Sequence, residues 1–146
     1  MEALPNIHLI GLLTVVYTLV FRWSALIPIY DFVFLCGVYG GFATWWVPYL
    51  YVWTVLWAAV MILPKNTPRW LLAIVLPVIC SAHGFLFGVI YAPVYSLLMG
   101  FDITQMLAWI VAGLKMDVIH GISNIFTGMM AQPIASRLKK IVSKVI

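Results

Sequence analysis

Charge is what this chain has least of: eight Lys and Arg and four Asp and Glu make up 8% of its 146 residues. A soluble domain carries about 25% charged residues, so this chain cannot cover a water-facing surface in the usual way. Cysteine is almost as scarce. Cys36 and Cys80 lie isolated within apolar runs, with no CxxC spacing, which argues against a disulfide framework or a thiolate metal site. Beyond Glu2 the only acidic residues are Asp31, Asp102 and Asp117, too few for a proton relay across a membrane or a paired-carboxylate array. GxSxG, HExxH, P-loop and helix-borne arginine patterns are all missing. We therefore expect no enzyme, no catalytic residue, no metal and no cofactor.

What is present is apolar: 65% of residues are hydrophobic and the mean hydropathy is +1.11. Lipid is the expected solvent, and residues 1–146 are read as one transmembrane helical domain. At roughly 20 residues per span the chain crosses a bilayer about six times if nearly every residue serves. Backbone in lipid must satisfy its own hydrogen bonds, so the spans are helices. The fold class is an all-α integral membrane bundle of six helices, with five as the alternative.

Pro, Gly and charge place the spans near 5–22, 25–43, 45–63, 70–91, 94–113 and 116–135, with break signals at Arg22 to Ser24, Gly40 to Thr44, Pro64 to Pro68, Gly100 to Asp102 and Gly113 to Lys115. The N-terminus lacks a basic n-region, so the first apolar stretch reads as a retained span. Half of the Lys and Arg cluster in the tail at Arg137, Lys139, Lys140 and Lys144. Cytoplasmic anchoring explains that cluster better than nucleic acid does. With six spans the N-terminus is then cytoplasmic too, and Arg22, Lys65, Arg69 and Lys115 fall on the far side, four against four.

At about 100° per residue Asp117, His120, Gly121, Asn124 and Gly128 share one helix face, a polar stripe turned into the bundle. His120 and Asn124 can bond a substrate or only neighbouring helices, and Asp117 can simply favour a helix N-terminus. Trp46, Tyr49, Trp53 and Trp57 also follow helical spacing, so they are either a stacking wall for a flat ligand or ordinary aromatic packing. His83 and His8 read first as core histidines, and Asp31 needs a partner, with Arg22, Tyr or His as candidates. Small residues form two ridges, Gly84, Gly88, Ala92 and Ser123, Thr127, Ala131, Ala135. They suit close helix packing or docking of a partner subunit.

The run from Trp109 through Gly113, Asp117 and His120 to Asn124 resembles the start of the final helix in substrate-binding S components of energy-coupling factor transporters. The stretches Tyr39 to Trp53 and His83 to Pro93 resemble the same family. Met116 stands where that pattern has Phe, and the first span lacks an Ala-x-x-x-Ala motif. The resemblance implies a six-helix bundle in a bacterial plasma membrane that captures a vitamin or related micronutrient. Delivery would need a transmembrane coupling subunit and two ATPases. The substrate-binding residues would be Asp117, His120, Asn124, Trp46, Tyr49, Trp53 and His83. A structural or assembly subunit without a small-molecule ligand is the alternative, and an intramembrane enzyme using His120 with Asp117 is a third.

Overall fold

The computed structural model describes residues 9–144, and among these every regular element is helical. In chain order they are α1 (Ile10–Phe21), a 3₁₀ turn (Arg22–Ala25), α2 (Leu26–Gly40), α3 (Tyr49–Met61), α4 (Arg69–Phe85), α5 (Phe87–Met99) and α6 (Ile103–Val142). Three helical stretches are long and apolar enough to cross a membrane by length and composition, consistent with a membrane protein: Arg69–Met99, Ile103–Val142 and Ile10–Gly40, the last folding back on itself at Arg22. The α3 helix, Tyr49–Met61, is apolar but shorter.

Local chemistry sets the turns. Arg22 takes φ +55°, and its carbonyl accepts the Trp57 indole N–H at 3.0 Å. Its guanidinium donates to the carbonyl of Met61 at 2.9 Å, so α1 doubles back into α2 at a point locked to the end of α3. Gly41, at φ +85°, ends α2. The next loop is pinned by the Trp46 indole donating to Val33 O at 2.7 Å. Pro68 opens α4 after a loop closed by Thr67 donating to Pro64 O at 2.6 Å. Gly100 is left-handed at φ +69°, and Phe101 N–H returns to Ser96 O at 2.9 Å. Asp102 then caps α6, accepting from Gln105 N–H at 2.8 Å while Asp102 N–H donates to the Gln105 amide at 2.9 Å.

Two expected span boundaries are absent. The chain does not turn at Gly113 to Lys115, because α6 runs unbroken for 40 residues, about 60 Å at 1.5 Å per residue. A helix-interior glycine costs only about 1 kcal/mol relative to alanine, and no capping residue stands there to start a new helix. The chain also passes helically through Pro93, and the bend in this stretch lies earlier, at Leu86. The expected spans 94–113 and 116–135 are therefore replaced by the end of α5, a tight turn and one long α6.

Basic residues gather as a result. Arg22, Lys65 and Lys139 line one groove, so the first turn, the α3–α4 loop and the end of α6 share one end of the bundle. Arg69, which opens α4, and Arg137, Lys140 and Lys144 belong to the same end. The expected four-against-four split is corrected to seven against Lys115, which lies about 36 Å along α6 from Lys139 at 1.5 Å per residue.

The core lies between α1, α3, α4 and α6, where Val15, Val16, Leu56, Leu76, Cys80 and Ala131 are buried. A second cluster joins Ala25, Ile29 and Val33 to Trp53 and Trp57. The seam between α4 and α6 is made by glycine. A Cβ at Gly84 would stand 2.8 Å from Gly121 Cα, and one at Gly128 would stand 2.7 Å from Pro77 Cα. Past this seam, α5 and the first turns of α6 are joined by aromatics. Tyr91 stacks on Trp109 at 5.6 Å, Tyr95 lies 5.4 Å from Trp109, and Tyr91 Oη donates to Trp45 O at 2.6 Å.

Candidate functional site

The polar stripe of α6 faces inward, with Asp117 5%, His120 1% and Asn124 1% exposed. Asp117 Oδ2 accepts the N–H of Gly88 at 3.1 Å, at the first turn of α5 just past the bend. Helix starts carry N–H groups without intrahelical acceptors and a partial positive charge, so the carboxylate satisfies both. Asn124 donates to Cys80 O at 3.2 Å and lies under Gly11 of α1. Both side chains therefore tie helices together. Removing the Asp117 acceptor in Asp117→Ala leaves a buried N–H. We expect a loss of about 1–3 kcal/mol, read as a lowered thermal midpoint in detergent.

His120 and His83 sit in an aromatic column. The Phe87 ring lies 5.1 Å from His120, and His83 lies 6.5 Å from His120 and 5.7 Å from Trp53. His83 Nε2 pairs with Val52 O at 3.0 Å. The sequence-predicted residues Trp53, His83, His120, Asp117 and Asn124 thus come together across α3, α4 and α6. Trp46 stands apart, half-buried, with its indole engaged to α2 and its ring edge-on to Phe42 at 5.0 Å. His8 lies outside the described residues.

An open crevice lies on the other side of Trp53. This crevice, between α1, α2 and α3, has two lobes that share Ile10, Leu13 and Phe32. One lobe, about 290 Å³, is lined by Tyr49, Trp53, Phe32 and Cys36. The other, about 260 Å³, is lined by Thr14, Tyr17, Pro28 and Asp31. Each approaches the lower bound of small-molecule pockets, about 300 Å³. Tyr49 and Trp53 meet edge to face at 6.1 Å and form one wall.

The polar groups of this crevice come from α1 and α2. Thr14 Oγ1 is buried and has no hydrogen-bond partner among the described residues. Asp31 is exposed, and among the described residues it has no partner, so neither Arg22 nor a described Tyr or His fills the role expected of them. A carboxylate inside a membrane-spanning segment is costly, by roughly 2.5–3.5 kcal/mol on insertion scales, and marks function by default. Asp31 and Thr14 had no site role in the sequence reading. The signal available was an Asp inside an apolar run with no complementary charge at helical spacing.

Of the small ridges, Gly84, Gly88, Ala92 and Ala131 are buried within the chain. Gly84 meets α6 backbone, Gly88 meets the Asp117 carboxylate and Ala131 lies in the core. Their close approach serves packing within the chain. Ser123 and Thr127 are half-buried, with hydroxyls donating to His120 O at 2.9 Å and Asn124 O at 3.5 Å. No family model, curated protein or solved structure matches the chain.

Proposed function

We propose that this chain is a substrate-binding membrane subunit, of the S-component type, that captures a small planar vitamin or vitamin precursor for uptake by a partner coupling module. The observation that carries this reading is the α1–α2–α3 crevice, which sets Asp31, a carboxylate with no partner among the described residues, and the Thr14 hydroxyl beside an aromatic wall of Tyr49, Trp53 and Phe32. Aromatic faces suit a flat ring, and the carboxylate suits a protonated or cationic nitrogen on it. His83 stands behind that wall, 5.7 Å from Trp53, with His120 beyond it. A coupling subunit and two ATPases would supply the energy, and a bacterial plasma membrane crossed five times, the alternative span count, belongs to the same proposal. On the positive-inside rule the seven-cation end faces the cytoplasm.

A structural or assembly subunit is the second reading, favoured by the engagement of Asp117 and Asn124 in helix-to-helix hydrogen bonds. Mass spectrometry of small molecules released on denaturing the purified protein separates the two. A nitrogen heterocycle recovered near one equivalent supports capture. Recovery of none, with the chain held in a stable complex of other membrane subunits, supports assembly.

A further inference from the structure

We infer that the groove at the basic end of the bundle, with Arg22, Lys65 and Lys139 above Leu19, Leu63 and Leu72, holds the phosphate headgroup of an anionic phospholipid. This site is separate from the α1–α2–α3 crevice and does not depend on what that crevice binds. The groove encloses about 250 Å³ between the first turn, the α3–α4 loop and the end of α6. Its walls divide by chemistry: Leu19, Val20, Leu63 and Leu72 are apolar, and three cations stand with them. An acyl chain fits the first surface and a phosphate the second.

Arg22 is the cation held in place, and Lys65 and Lys139 are exposed at the rim of the groove. Arg22 is fixed by donating to Met61 O at 2.9 Å and Leu63 O at 3.5 Å, and guanidinium donors remain for an anion. Lys65 rides on a loop closed by the bond from Thr67 to Pro64. No described acidic residue lines the groove: Asp102 caps α6, Asp117 binds Gly88 and Asp31 lines the α1–α2 crevice. Among the described residues no acidic group offsets these cations, which makes the groove complementary to an anion. Basic pockets between transmembrane helices meet anionic headgroups on that side of the membrane.

Native mass spectrometry of the full chain in neutral detergent tests this, with phosphatidylglycerol, phosphatidylcholine of the same chain length, and inorganic phosphate as competitor. One phosphatidylglycerol should stay bound and phosphatidylcholine should not. Lys65→Gln with Lys139→Gln should weaken retention roughly thirtyfold, about five- to sixfold per lysine. Arg137→Gln with Lys140→Gln removes the same charge outside the groove lining and should leave retention unchanged. Equal retention of phosphatidylcholine, equal loss in the two double variants, or displacement by millimolar phosphate would each overturn the lipid assignment. Absence of any retained lipid would also overturn it and leave the cations to an acidic partner.

Discussion

Replacing Gly84 by valine should abolish the folded protein, and Gly84→Ala should lower its thermal midpoint sharply. The first atom of any side chain there would stand 2.8 Å from Gly121 N and Cα and 2.9 Å from the His120 carbonyl carbon. These are backbone atoms of a continuous helix, so no rotamer change relieves the clash. Overpacking costs typically about 1–3 kcal/mol for one added methyl or methylene, and the larger side chain forces α4 and α6 apart along their whole seam. Small residues are the means by which helices associate in lipid, where apolar side chains gain little by leaving the solvent. Gly113→Ala is the matched control. Nothing lies within 4 Å of a Cβ at Gly113, and its φ is not positive. Alanine there should stabilise α6 by up to about 1 kcal/mol, through helix propensity and reduced freedom of the unfolded chain. Destabilisation at Gly113 would instead mean that the chain turns there, as its sequence first suggests.

The second large effect belongs to Asp31. Asp31→Asn keeps size and removes charge, and the side chain is exposed without an ion pair among the described residues, so stability should change little. Affinity for a ligand bearing a cationic nitrogen should fall about tenfold to a hundredfold, the worth of a hydrogen bond to a charged group, about 1.5–3 kcal/mol. Thr14→Val, which replaces the unpaired buried hydroxyl with a methyl, should lower affinity while sparing or raising stability, because both outcomes follow from removing an unmet polar group. Loss of stability at Asp31 without loss of binding would place its role in the fold.

Different parts of this molecule were legible in the sequence to different degrees. The turns at Pro64 to Pro68 and Gly100 to Asp102 carry their own chemistry: a proline at each end of a loop, a left-handed glycine and a capping residue. Such signals act within a few residues and can be read without a fold. Gly113 to Lys115 resembled them in composition but offered no cap and no need for positive φ, so the helix continued. The bend at Leu86 had no local signal, because the acceptor for the next turn's N–H comes from Asp117, 29 residues away.

The same distinction holds for the site. Helical spacing put Asp117, His120 and Asn124 on one buried face, and the aromatic spacing of α3 put Tyr49 and Trp53 on one wall. That these faces meet through His83 and Phe87 depends on how α3, α4 and α6 are arranged. Thr14 and Asp31 were unreadable as a pair, since they approach only because α1 reverses at Arg22. The gathering of Arg22, Lys65 and Lys139 was hidden for a similar reason: one wrong break in α6 reverses which end each loop occupies.

The central claim, that the α1–α2–α3 crevice captures a small planar nitrogen compound, is tested most directly by tryptophan fluorescence. Detergent-purified protein is titrated with water-soluble vitamins and their precursors, alongside Asp31→Asn and Trp53→Phe. Saturable quenching by one compound at submicromolar concentration, lost in Trp53→Phe and shifted at least tenfold upward in Asp31→Asn, is the predicted result. Folded protein that gives no saturable response across the panel, or a response equal in all three proteins, would contradict it.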